Sequence, residues 1–194
     1  MSAVMSSIVH IGMPRVTEIL KPLYSSFAMD EEAAKRGTMM HKLIANYDSG
    51  ATGLLVGDSI STEARRIIMG WTECIDKLAF STIEIESEVV NSDCGYYGHP
   101  DRIGHIGGTL TILDAKFGAN QPVYALQLAA YVMAKLNTPY PTEQCYKAKR
   151  GTIIIGPDGS AKCHWHTKRT DFAAFLSMLN LHRWAKENKV TIGG

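Results

Sequence analysis

Asp101, Asp114 and Lys116 are the residues of this 194-residue chain best placed to do chemistry. A Gly107-Gly108 pair separates two extended-looking stretches, residues 97–106 and 109–117. A two-residue Gly-Gly loop favours a tight hairpin, because both positions call for positive φ. In that register residues whose numbers sum to 215 face each other, which sets Asp101 opposite Asp114. Facing Cβ atoms on one side of a hairpin lie about 4.5–5.5 Å apart, so two carboxylates there repel unless a cation sits between them. Lys116 shares their face, because strand side chains alternate with period two. Two carboxylates with a backbone carbonyl and water suit Mg²⁺ or Mn²⁺, hard cations that prefer oxygen. Such an ion lowers the pKa of water and offsets charge on a phosphate. Lys116 can orient or deprotonate the attacking water, or stabilise developing charge. On a plain surface hairpin the same residues would be a solvated acid pair with a cross-strand lysine. Pro100 cannot donate to a ladder and can bring a bulge that shifts the pairing by one.

The elements that must carry these residues follow from periodicity. Residues 14–27 read as a short helix. Asp30 can cap a second helix, with Glu31 and Glu32 in its first turn, that ends near Tyr47. Residues 46–58 hold three glycines without periodicity and read as a loop. Ser61 or Thr62 opens a third helix to about Ala79, with Ile67, Ile68, Trp71, Cys74 and Ile75 as its apolar stripe. The pattern then turns to period two over residues 82–90, followed by the two hairpin strands. Residues 121–136 return to helix, ended by Pro139 and Pro141. Residues 143–155 and 161–167 read as strands around a Gly156-Pro157-Asp158-Gly159 turn, and residues 171–188 as a closing amphipathic helix. The order predicts an α/β fold, a mixed sheet flanked by helices. The whole of residues 1–194 reads as a single domain, helical over 14–79, with the sheet and its helices over 80–188.

Composition sets the outer bounds. A hydrophobic fraction of 45% and a charged fraction of 20% are ordinary for a soluble globular domain. No apolar run approaches the ~18–20 residues of a membrane span. The first Lys or Arg is Arg15, which argues against a secretory or mitochondrial leader, so a cytoplasmic location is expected. The four cysteines are scattered without a C-x-x-C pair, so reduced thiols are expected and no iron–sulfur cluster. The net charge of +1 hides an asymmetry: residues 1–114 carry 9 Lys+Arg against 15 Asp+Glu, and residues 115–194 carry 11 against 4. A basic half suits a phosphate backbone. His164 and His166 would share one strand face and Trp165 would take the other, toward the core.

Gly98-x-x-Asp101, Asp114-x-Lys116 and Gln127-x-x-x-Tyr131, in that order, resemble the PD-(D/E)XK nuclease core, in particular its RecB-like branch, which includes phage exonucleases and the mitochondrial genome maintenance exonuclease. Arg36-Gly37-x-x-x-His41 matches the upstream helix motif of that branch, and the Pro14–Leu20 segment resembles its opening. The likeness spans about residues 14–185. His99 and Pro100 stand where an aliphatic or small residue is more usual, and Arg15 where Ser is frequent. The resemblance implies a restriction-endonuclease-like αβββαβ core. It implies metal ligation by Asp101, Asp114, the Ala115 carbonyl, His41 and Glu88, with Lys116 as the catalytic lysine. Gln127 and Tyr131 would position the lysine and the scissile phosphate, and Arg36 would contact a phosphate. Glu84 and Glu86, which alternate with Glu88 along one strand face, read as a solvated edge.

From these residues the expected activity is a Mg²⁺-dependent DNA exonuclease, with Mn²⁺ able to substitute. It would act at single- or double-stranded DNA ends in phage or bacterial recombination, replication or DNA processing, beside recombination or replication proteins and in a bacterial or phage-infected cytoplasm. Lys147, Lys149 and Arg150, in the basic half, would track a DNA strand. A structure-specific or nicking endonuclease would share every catalytic residue, and a non-catalytic DNA-binding module is the reading from another class.

Overall fold

Period-two alternation along residues 109–117 splits the hydrophobic interior in two, and the rest of the chain is arranged around that split. The structure, a computed structural model, describes residues 12–24, 31–50 and 61–192, and of residues 31–34 and 36 the backbone alone. Its helices are α1 (Val16–Tyr24), α2 (Glu31–Asp48), α3 (Thr62–Leu78), α4 (Val123–Lys135), α5 (Glu143–Lys147) and α6 (Thr170–Asn188). Its strands are β1 (Ser81–Ile85), β2 (Val89–Asn91), β3 (Tyr96–Gly98), β4 (Arg102–Ile106), β5 (Thr109–Phe117), β6 (Lys149–Ile155) and β7 (Ala161–Trp165). Five strands form a mixed sheet in the order β1-β4-β5-β6-β7, with β2 and β3 as a separate two-stranded ribbon. The β5–β6 pair is parallel and the other pairs are antiparallel. A parallel pair needs a long crossover, and α4 lies within it.

On one face Ile103 and Ile112 pack with α1, α4 and α6, through Ile19, Leu128, Val132 and Phe175. On the other Leu113, Ala115, Ile153 and Ile155 pack with α2 and α3, through Ile44, Ile67 and Trp71. Alternation then puts Asp114 and Lys116 on the α4 face. Helix α4 sits between sheet and outer helices and is buried along nearly its whole length, which is why it reads as uniformly apolar rather than amphipathic.

The hairpin register is the expected one. Arg102 faces Leu113 and Ile106 faces Thr109, with Gly107 at φ 59° and Gly108 at φ 75°. Ser61 caps α3 by accepting from the Ala64 N–H at 3.1 Å, as its sequence suggests. Three expectations need correction. The stretch 82–90 is two strands rather than one: the ladder slips between Thr82 and Glu84, and Glu86 at φ 48° turns the chain away. The stretch 97–106 is likewise broken into β3 and β4 around Pro100, which has no N–H for a ladder. Residues 143–147 form the short helix α5, whose capping residue Thr142 accepts from the Cys145 N–H, and the strand begins at Lys149. The expected Asp30 cap, and most of the loop expected over residues 46–58, lie outside the described residues, although α2 already extends to Asp48. Trp165 is 41% exposed rather than buried.

Gly104 shows how tightly the sheet is assembled. A Cβ there would run into the Ser81 carbonyl of the neighbouring strand and the Phe80 ring. Backbone cannot yield as a flexible side chain can, so Gly104→Ala is expected to cost about 1–3 kcal/mol. Urea unfolding of the variant checks this, and an unchanged midpoint would contradict the packing.

Candidate metal and active site

Helices α1, α2 and α4, strand β5 and the connections after β1 and before β4 deliver side chains to one cleft of about 450 Å³. Strand β5 supplies Asp114 and Lys116 from its α4 face. Asp101 stands immediately before β4, where the ladder has just ended at Arg102–Leu113. Its backbone carbonyl accepts from the Glu86 N–H at 2.9 Å, and its Oδ2 accepts from the Ala115 N–H at 2.6 Å. That last contact spans the hairpin and holds Asp101 beside Asp114 even though the two are not ladder partners. Helix α2 brings His41, whose Nδ1 lies 3.1 Å from Asp101 Oδ2. His41, Glu86 and Asp101 each offer a ligand atom, and these atoms lie within 4.8 Å of one another.

Helix α4 adds Gln127 and Tyr131, one turn apart and therefore on one face. Gln127 Nε2 donates to the Tyr131 hydroxyl at 2.8 Å, and Gln127 Oε1 accepts from the Tyr24 hydroxyl at 3.0 Å. The Tyr131 ring occupies the space where a side chain at position 98 would lie, so Gly98 is the residue that admits it. Lys116 Nζ is in ion-pair contact with Asp114 Oδ2 and lies 5.4 Å from the centre of the Tyr124 ring. Asp114 Oδ2 is buried and has no partner of hydrogen-bond geometry among the described residues. A buried carboxylate held against a lysine, beside a convergent His–Glu–Asp set, fits a divalent cation with oxygen and imidazole ligands.

The electrostatics separate these groups. Burial opposes ionisation of Asp101, but His41, Lys116 and the Ala115 N–H outweigh it and hold its pKa below the usual carboxylate value. Burial, with the Asp101 charge added, raises Asp114 despite Lys116. Burial and then Asp101 push Glu86 up to about 7. For His41, burial works downward, and the Asp101 hydrogen bond and charge overcome it, so its pKa is raised. Burial of Lys116 likewise works downward and is overcome by Asp114 and Asp101, lifting it well above an ordinary lysine. Lys116 therefore keeps its proton at neutral pH.

The structure thus brings together Asp101, Asp114, Lys116, His41, Gln127 and Tyr131, with Ala115 between the strand residues. Glu88 is not with them. It turns to His99, whose Nε2 lies 3.4 Å from Glu88 Oε2, and Glu86 takes the place beside His41 and Asp101. In the sequence Glu84, Glu86 and Glu88 are equivalent alternating acids, and it is the slipped ladder and the positive φ of Glu86 that choose among them. Glu84 instead pairs with Lys135. Arg150 is not free for a phosphate: 3% exposed, it bonds the Ala125 and Lys168 carbonyls, pairs with Asp171 at 3.1 Å and stacks over Phe172. Lys147 and Lys149 are exposed and rim a separate recess with Trp165. The side chain of Arg36 lies outside the described residues. Sequence reasoning missed Arg15 at the cleft, where its guanidinium meets His99 Nδ1 at 2.9 Å. The two positions had stood out only as separate departures from the family pattern.

Two outcomes test this arrangement. Glu86→Gln is expected to weaken Mn²⁺ binding by about 10–100-fold, the usual scale for a disturbed metal site, while Glu88→Gln leaves it within about twofold; calorimetric titration of both variants checks the choice. Binding is also expected to tighten as pH rises through about 7, because Glu86 must lose the proton it holds up to that pH. Both Glu86 and His41 have raised pKa values, so their contribution to the stability of the metal-free protein is full below the unfolded values and is lost as pH rises through the folded ones. Thermal midpoints without metal should therefore drift down between about pH 5 and 7 on account of Glu86 and, on account of His41, above its ordinary value of 6.5, and Mn²⁺ should reverse the drift.

No family model and no curated protein matches the chain. Among solved structures, a putative exonuclease from Eubacterium rectale aligns over 98% of this chain and 88% of its own, at 12% identity and a TM-score of 0.54. An alkaline exonuclease from Laribacter hongkongensis aligns over 93% of this chain and 94% of its own, at 15% identity and a TM-score of 0.41. The structure of that exonuclease in complex with dAMP aligns at 14% identity and a TM-score of 0.42. At such identities the likeness is one of fold. With its mixed five-stranded sheet between two helical layers, the chain has a restriction-endonuclease-like core, the fold it shares with the Eubacterium rectale structure.

Proposed function

We propose that this chain is a metal-dependent deoxyribonuclease that hydrolyses phosphodiester bonds from DNA ends. The observation that carries the reading is the convergence of His41, Glu86 and Asp101 within 4.8 Å, beside a buried Asp114 and a protonated Lys116, in one open cleft. His41, Glu86, Asp101 and Asp114 would hold a divalent cation, Mg²⁺ or Mn²⁺, which lowers the pKa of a water and offsets charge on the phosphate. Lys116 acts as a cation rather than as a base, because its neighbours hold its proton. From there it steadies negative charge building on the phosphate and orients the water that attacks it. Gln127, braced by Tyr24 and Tyr131, fixes the wall against which the lysine and phosphate lie.

The DNA strand would meet positive charge as it enters. Arg15 stands at the cleft with Thr17 and Thr38 nearby. Lys149 lies three residues back along the β5–β6 register from Thr152, the partner of Asp114. That odd step puts it on the opposite face of the sheet from Asp114, so with Lys147 it would meet phosphates beyond the cleft, around the recess beside Trp165. Action at ends rather than within a strand accords with the likeness in fold to the Eubacterium rectale putative exonuclease. The activity belongs with recombination, replication or DNA processing in a bacterial or phage-infected cytoplasm, beside the proteins of those processes.

A time course on end-labelled linear DNA and on closed circular DNA, with Mg²⁺ or Mn²⁺, tests the reading. Linear DNA should be degraded and circular DNA should survive; EDTA should stop the reaction. Asp114→Asn and Lys116→Ala should each lower the rate at least about 100-fold with the fold intact. Nicking of the circle would point to an endonuclease, and DNA binding without cleavage to a binding module.

A further inference from the structure

Arg102 is 1% exposed, a position that an arginine takes only when its guanidinium is held on several sides. It follows Asp101 directly, so its side chain leaves the opposite face of the sheet, toward α2 and α3. There Nε donates to Asp48 Oδ2 at 2.6 Å. Asp48 in turn accepts from Trp71 Nε1 at 3.1 Å, and the Trp71 ring lies 5.3 Å beneath the guanidinium carbon. Asp48 is the last residue of α2, seven after His41, so the anchor and the imidazole ligand ride on one face of one helix.

The other end of the guanidinium reaches the metal ligands. Nη1 donates to the Asp101 carbonyl at 2.6 Å, the same oxygen that receives the Glu86 N–H, and lies 3.6 Å from Glu86 Oε1. Glu86 has few other restraints. It stands past the end of β1 at positive φ, with a side chain 41% exposed. Without a partner its carboxylate would turn to water, away from the buried Asp101 charge that repels it. A planar fork fixed by Asp48 at one side and offered to Glu86 at the other counters that tendency, which a lysine ammonium cannot do in the same geometry.

Resting on the metal-centred reading of the cleft, we propose that Arg102 is a positioning residue. Anchored by Asp48 and Trp71, and bonded to the Asp101 carbonyl that also receives the Glu86 N–H, it holds the Glu86 carboxylate in ligand position. It touches neither substrate nor metal and acts through Glu86.

The test is a double-mutant cycle read by Mn²⁺ binding in calorimetry, beside thermal unfolding of each variant. Arg102→Lys keeps the charge and loses the fork; its Mn²⁺ dissociation constant is expected to rise about 10-fold or more. Glu86→Gln should show a similar loss, and the double variant should be no worse than Glu86→Gln alone. An Arg102→Lys protein that melts earlier yet binds Mn²⁺ as the wild type does overturns the proposal. So does a double variant whose losses multiply. Asp48→Asn keeps an acceptor for Trp71 but releases the guanidinium from its anchor. It should weaken Mn²⁺ binding as well, and supplies the reading if Arg102→Lys does not fold; unchanged affinity would overturn the proposal there too. Wild-type protein that binds no Mn²⁺ would remove the metal-centred reading itself, whereas wild-type binding with indifferent variants removes only the role of Arg102.

Discussion

Three carboxylates forced together at the end of a sheet are the constraint around which this molecule is organised. Asp101 and Asp114 are almost wholly buried and Glu86 stands next to them. Burying even one ionised carboxylate is costly without partners, and like charges at this range add to the cost. The chain meets it by surrounding the acids with fixed donors: His41 and the Ala115 N–H on Asp101, Lys116 on Asp114, Arg102 near Glu86. The donors do not cancel the repulsion in full: the pKa values of Glu86 and Asp114 stay raised. A site left short of positive charge in this way would be stabilised by an entering divalent cation.

Much of this frame was legible in the residues. Gly107-Gly108 demanded a tight turn, and the turn dictated the register that sets Asp101 near Asp114, with Lys116 on the same face. The apolar periodicity of residues 62–78 and the Ser61 cap specified α3 closely. Such features are local: a turn, a cap or a stripe is decided by residues a few positions apart. The fold class followed because the order of periodicities leaves few ways to cover both faces of one sheet.

What the residues did not reveal is decided by contacts distant in sequence. Nothing in Glu84-x-Glu86-x-Glu88 marks the middle acid; the slip against β4 and the turn at Glu86 depend on Asp101 and Arg102, fifteen and sixteen residues on. Lys149 and Arg150 are neighbours in a basic run, yet one is exposed and the other is consumed by α4 and α6. Charge patterning alone cannot separate them, because alternation assigns a face and tertiary packing decides whether that face is covered. Trp165 failed the same way: alternation with His164 and His166 suggested core, but β7 is an edge strand and Trp165 is 41% exposed.

The two helical layers divide the work according to what each face of the sheet can offer. The α4 face carries the acids, the lysine and the Gln127–Tyr131 brace, all supported from a helix that is itself core and therefore rigid. The α2–α3 face contributes from behind, through Asp48, Trp71 and Arg102, and over the end of the sheet through His41. The proposed ligand set is consequently drawn from both sides of the sheet. A shift of α2 against β5 would move His41 and the anchor of Arg102 together. The imidazole and the Glu86 carboxylate are thereby tied to one helix, even though the first enters the cleft from that helix and the second from the turn after β1.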